Sequence, residues 1–218
     1  VNNAAIAFGA SNVGGALSAT ASAGTITQAG TLTVAGTSAF TTSTNDRVIT
    51  LSNTSNALTG AVAFTTGGTT GNVTIDNGTT ALDLAASTIS GTLSATGGAS
   101  AGIVDSGNIA VAGDVTLTTD AGNGVINMGT LQQSAGDLLL VTNGNGAATV
   151  VNNVGIDFGT SNVGGALTVT ATTGDIMQTG GALTVAGASS FILGANSANV
   201  ALDHASNAFS GAVTLLAG

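Results

Sequence analysis

Cysteine, proline, tryptophan, tyrosine, lysine and glutamate are all absent from the 218 residues. Without cysteine, neither disulfides nor thiolate metal sites hold this fold, which leaves the redox compartment unassigned. Without Trp or Tyr there are no aromatic girdles of the kind a membrane barrel carries at its two interfaces. A single Arg is the only permanently cationic side chain. A nucleic-acid backbone or an anionic membrane surface needs clustered Lys and Arg, so neither is an expected partner. No apolar run approaches the roughly 20 residues of a membrane-spanning helix, so no membrane insertion is expected. Charged residues make up only 5% of the chain, against roughly 25% in an ordinary domain.

What is present is glycine at 34 positions, ten aspartates that set a net charge of -9, and a 43% hydrophobic fraction. Abundant Gly, Ser, Asn and Thr are the mark of many disordered chains, which cannot offset their ordering entropy. Here Val, Ile, Leu and Phe recur regularly, so there is enough apolar surface to bury if the core is narrow. A thin core lined by single aliphatic side chains specifies a solenoid.

The chain repeats itself. Residues 1–30 and 151–180 share 19 identities, including SNVGGAL at Ser11 to Leu17 and again at Ser161 to Leu167. After one inserted residue near Gly181 the match continues, with LTVAG at Leu32 to Gly36 and at Leu183 to Gly187. A weaker copy lies between: GTLSAT at Gly91 to Thr96 echoes GALSAT at Gly15 to Thr20, and IAVAG at Ile109 to Gly113 falls on Leu32 to Gly36. Residues 1–218 therefore read as one array of three units, 1–75, 76–150 and 151–218, the last incomplete. Val1 and Gly218 both fall inside repeats, which is expected of a segment of a longer protein.

Within each unit run short segments in which every second residue is apolar: Ile6 to Phe8, Leu17 to Ala19, Leu32 to Val34, Ile49 to Leu51, Val62 to Phe64 and Val73 to Ile75. That is the period of a half-buried strand, with Ala, Thr or Asp facing outward. Gly or Asn clusters interrupt too often for helices. Sandwiches, barrels and propellers also use short strands, but a sandwich has no reason to repeat at this interval with a drifting sub-period. The expectation is an all-β parallel β-helix, or β-solenoid, with coils of about 20 residues stacked roughly 4.8 Å apart. Gly and Asn are then expected at corners that need positive φ.

The phrases GALSATASAGTITQAGTLTVAGTSAF (Gly15 to Phe40) and GALTVTATTGDIMQTGGALTVAG (Gly165 to Gly187) resemble the haemagglutinin-type repeats of large bacterial exoproteins. These are the filamentous haemagglutinin-like, two-partner-secretion and autotransporter adhesins. The resemblance implies a right-handed β-helix, export, and a secreted or cell-surface role as a stalk or fibre in adhesion or biofilm. This chain carries neither the secretion domain nor the translocator barrel of such proteins.

Candidate chemistry is sparse. His204, the only histidine, follows Asp203 and could suggest an acid–base pair, but adjacent strand residues point to opposite faces and its repeat equivalent is Asn53. Asp83 and Asp157, within LDL and IDF, occupy the same place in neighbouring units and are expected to face outward. Paired carboxylates cleave glycosides on some β-helices, but with basic and aromatic partners that this chain lacks. Asp76-Asn77-Gly78-Thr79 and Asp120-Ala121-Gly122-Asn123-Gly124 offer oxygen ligands without a calcium-loop spacing and read as turns. Arg47 beside Asp46 reads as an exposed ion pair. Asn53, Asn72 and Asn77 head glycosylation-type triplets. Thr31-Leu32-Thr33 and Thr168-Val169-Thr170 raise an ice-binding face, although threonine shares those sites with Ala, Ser and Asn across units.

No catalytic, cofactor or metal residue is therefore assigned and no enzyme is expected. The reading is a structural or adhesive rod of an exported bacterial surface protein that self-associates into oligomers or filaments. A module binding a host or matrix glycan is the alternative.

Overall fold

The computed structural model describes residues 1–120 and 122–218, which form 27 short strands and no helix. The strands are short because glycine and polar corners interrupt the apolar alternation every few residues. Within them the alternation fixes orientation: Leu32–Val34, Ile49–Leu51 and Leu82–Leu84 each bury their outer two side chains and leave the middle one half-exposed. All six segments read as strands from the sequence lie in strands.

Every strand pair is parallel, and partners lie one coil apart. In a ten-stranded sheet the column Ile6, Ile26, Ile49, Val73, Leu93, Val115 and Leu138 runs along the axis. A twelve-stranded sheet forms a second face, and smaller sheets of three and two strands complete the wall. The chain is a β-solenoid of about 10 coils. Successive partners along the column are 20 to 24 residues apart, so the coil is somewhat longer than the 20 residues expected. At about 4.8 Å per coil the stack is roughly 48 Å long.

Aliphatic columns fill the interior, each fully buried side chain contributing about 1.5–3 kcal/mol. All six phenylalanines sit near the two ends. Phe40 lies 5.8 Å from Phe64 and 6.0 Å from Phe8, and Phe191 lies 6.4 Å from Phe158 and 6.0 Å from Phe209. Polar side chains also enter the core: Asn56 and Asn152 are 1% exposed and Asn77 is fully buried. Each meets backbone groups that the strand ladder leaves open, as buried polar groups must.

The corners differ from the expectation. Only seven of the 34 glycines have φ in the left-handed region, joined there by Asp46, Ala99 and Asn123. Most glycines serve close approach instead. Gly36 N–H donates to the Gly15 carbonyl at 3.0 Å, and a Cβ on Gly60 would lie 2.5 Å from the Gly36 backbone. Stacked corners come together there because the glycine of the later coil carries no Cβ to strike the coil before it.

The sequence repeat and the coil do not coincide. The Ile6 column reaches Phe158 through Leu138 after seven steps, so the 150-residue offset corresponds to seven coils. One unit is half of that, three and a half coils. Leu17 and Leu167, in strands Leu17–Ala21 and Leu167–Ala171, accordingly lie in the twelve-stranded sheet, whereas their counterpart Leu93 lies in the ten-stranded one. The residues of the weaker middle copy thus lie on a different face from their counterparts.

Candidate functional site

The residues singled out from the sequence do not converge. Asp83 lies in strand Leu82–Leu84 of the twelve-stranded sheet, and Asp157 in strand Ile156–Asp157 of the two-stranded one. Both are half-exposed beside buried neighbours, as the alternation requires, but the half-coil offset separates equivalent positions onto different faces. Asp83 Oδ1 is buried without a hydrogen-bond partner. Asp157 Oδ1 accepts the Thr179 N–H at 2.8 Å, and Oδ2 accepts the Thr179 hydroxyl at 2.7 Å. His204 is exposed in a turn, its Nδ1 accepting the Ser206 N–H at 3.2 Å; Asp203 beside it is also exposed.

Asp46 corrects the expected ion pair. Its Oδ1 accepts the backbone N–H groups of Thr69 and Thr70 at 2.7 and 2.8 Å, with both threonine hydroxyls nearby. These bonds favour the ionised form and hold the carboxyl below its ordinary value, the Thr69 N–H contributing most. The carboxylate thus binds the next coil and not Arg47.

This use of aspartate recurs. Asp105 accepts Gly129 and Thr130 N–H, Asp114 accepts Asp137 N–H, and Asp175 accepts Asn199 N–H, all at 2.7 to 2.9 Å. With Asp46 and Asp157, five of the ten aspartates staple a coil to its successor. Asp114, Asp137 and Asp157 also lie near one another, and desolvation followed by repulsion from Asp157 and Asp114 raises the Asp137 pKa above its ordinary value. An open groove beside Asp157 and Asp175 reaches Gln133 and Met177. Among the described residues no three His, Cys, Asp or Glu side chains stand close enough to share a metal ion.

The remaining candidates are largely absorbed by local structure. Asp76 Oδ1 accepts the Gly78 N–H at 2.8 Å in a turn. Asn77 cannot accept a glycan, because both amide atoms are buried against Leu58 and Ala81. Asn72 Oδ1 takes the Thr92 N–H and Asn53 Oδ1 the Ser55 N–H. In the segment from Asp120 to Gly124, Asn123 Oδ1 accepts the Asn145 N–H at 2.9 Å; Ala121 lies outside the described residues. Along the ten-stranded sheet Thr50, Thr74, Ser94 and Thr116 form an outward hydroxyl ladder that Leu139 ends, and Thr168 lies in the twelve-stranded sheet in a ladder with Thr149, Ser190 and Thr214.

Sequence reasoning missed the carboxylate staples and the buried asparagines. The only available signal was spacing: each of these Asp and Asn side chains stands 19 to 25 residues from the backbone group it binds.

A family model described as repeats of unknown function (DUF5649) matches residues 1–65, 70–145 and 144–216 in succession. No curated protein and no solved structure matches the chain.

Proposed function

The chain belongs to the DUF5649 repeats, and we propose that it is a structural rod whose task is length and stiffness in an exported bacterial surface protein that supports adhesion or builds extracellular fibres. The observation that carries this reading is the use of its polar side chains. Five aspartates and the buried asparagines are spent on backbone groups of neighbouring coils, which holds the stack together and leaves few groups free for substrate chemistry. The exported, adhesin-like setting rests on the resemblance of Gly15 to Phe40 and Gly165 to Gly187 to haemagglutinin-type repeats.

Three measurements test it together. The isolated chain should survive proteinase K as a long fragment and image as a rod, and it should bind nothing on a glycan array or on host matrix. Digestion to small peptides would refute the rod. Saturable glycan binding would replace the spacer with a binding module, and polysaccharide turnover lost in Asp83→Ala or Asp157→Ala would replace it with an enzyme.

A further inference from the structure

Asn77, Asn123, Asn143 and Asn145 each precede a glycine. In an Asn-Gly pair the missing side chain leaves the glycine nitrogen open to approach, so its attack on the asparagine Cγ meets little steric resistance. In a folded chain the outcome depends on what holds the two groups, because a bonded or buried amide reacts only after local opening.

Three of the pairs are held. Asn77 has both amide atoms bound to Leu58 and Ala81, and the Gly78 N–H donates to Asp76 Oδ1 at 2.8 Å. Asn123 Oδ1 accepts the Asn145 N–H at 2.9 Å, and Gly124 is buried. Behind Asn145, Gly146 is buried and its N–H donates to the Asn143 carbonyl at 3.0 Å. The fourth pair differs. Asn143 and Gly144 are both exposed, and among the described residues neither the Asn143 carboxamide nor the Gly144 N–H has a hydrogen-bond partner. They sit in an exposed turn, where chemical attack concentrates, anchored by the Asn143 N–H, which donates to Thr119 Oγ1 at 3.0 Å.

We propose that Asn143 is a self-modification site at which the folded chain deamidates. The Gly144 nitrogen gives its proton to water and bonds to Asn143 Cγ, Nδ2 leaves as ammonia, and a succinimide ring closes. Water then opens the ring at either carbonyl. One opening yields aspartate and the other isoaspartate, and each adds a negative charge. The position makes the product disruptive. Thr118 pairs with Val141, and the same register sets Asp120 against Asn143, so the new carboxylate stacks on an existing one. Isoaspartate also lengthens the main chain by a methylene at a corner without slack, since a Cβ on Gly164 of the next coil would strike the Gly144 carbonyl. Asn143 thus works as a timer that loosens the stack locally, whatever the rod carries.

The folded chain aged in warm neutral buffer, then unfolded and cleaved before aspartate, gives fragments beginning at Asp76, Asp120 and Asp137 that separate Asn77 and Asn123 from the other two. Tandem mass spectrometry resolves Asn143 from Asn145. Asn143 should lose its amide roughly tenfold faster than the other three, whereas in urea all four should react at similar rates. Asn143→Gln, whose longer side chain closes the ring poorly, should remove the signal, and Asn145→Gln should leave it. The aged chain should also acquire a proteinase K cut near residue 143 that Asn143→Gln lacks. Equal rates at the four sites in the folded chain, or faster loss at any of the other three, overturns the site. Deamidation at Asn143 without the new cut overturns the loosening, and neither result bears on whether the fresh chain is a protease-resistant rod.

Discussion

Asn56 and Gln28 exchange hydrogen bonds between neighbouring coils: Asn56 Nδ2 donates to Gln28 Oε1 at 3.1 Å, and Gln28 Nε2 donates back to Asn56 Oδ1. The same Oδ1 accepts the Leu32 N–H at 2.9 Å, and Nδ2 also reaches the carbonyls of Leu51 and Asp76. Asn207 and Gln178 repeat the exchange near the other end, with Asn207 Oδ1 accepting the Leu183 N–H. One carboxamide thus ties three coils in a dry interior, where an unpaired polar group is costly.

Asn56→Ala would strand the Leu32 N–H and the Gln28 amide, a loss of about 3 kcal/mol by the usual cost of unsatisfied buried groups. Asn53→Ala, three residues earlier, removes only a side-chain bond to the Ser55 N–H at 3.0 Å in an exposed turn, worth about 0.5 kcal/mol. Urea titration followed by circular dichroism should separate the two clearly. Equal midpoints would mean that the buried network contributes nothing.

Phe40 is fully buried between Phe8 and Phe64. Truncation to Ala would open a cavity spanning two coil steps and cost about 3–5 kcal/mol, whereas Phe40→Leu should cost about 1 kcal/mol. Urea midpoints of the two variants check the difference.

Gly60→Ala places a methyl 2.5 Å from the Gly36 backbone and should destabilise by about 1–3 kcal/mol, since no flexible side chain can yield there. Gly129→Ala has only Asp105 Oδ1 within 4 Å, at 3.8 Å, and should stabilise by about 0.5 kcal/mol through the unfolded chain. Melting temperatures moving the same way would count against close approach as the reason for Gly60.

Acid should reveal two aspartates of opposite sign. Asp46 has a folded pKa below its ordinary 3.8, so its contribution is present above that pH and is lost as pH falls through the lower folded value. Asp137 has a raised folded pKa, caused by desolvation and then by Asp157 and Asp114; its ionised form opposes folding at neutral pH, and protonation relieves this as pH falls toward 3.8. Asp137→Asn should therefore raise the urea midpoint at pH 7 by more than at acidic pH. Asp46→Asn should lower it at pH 7 and converge with the parent chain once the parent's Asp46 is protonated. Parallel pH profiles for the two variants would contradict these assignments.

Much of the architecture could be read from side-chain order alone. Alternation located strands such as Leu32–Val34 and Ile49–Leu51 and their buried faces, and the scarcity of large side chains required a thin core. What alternation does not encode is how far the chain travels before it meets itself. That distance depends on corner contacts such as Gly36 to Gly15 and Asp46 to Thr69, made by small polar residues that look alike in sequence. The same blindness hid the role of the glycines: positive φ was the expected reason, while the physical demand at most corners was room for the neighbouring backbone. Asp83 and Asp157 were equated by position, correctly as sequence, yet an intervening half coil sets them on different faces.

The mismatch between three and a half coils and one sequence unit governs how this rod displays anything it carries. An insertion or modification placed at one position in every unit would project to alternating sides, like leaves set in two ranks along a stem. Only alternate units address the same direction, about 34 Å apart at 4.8 Å per coil. A flat surface lying along the rod would meet such decorations at that longer spacing, and two surfaces could be engaged at once, one on each side.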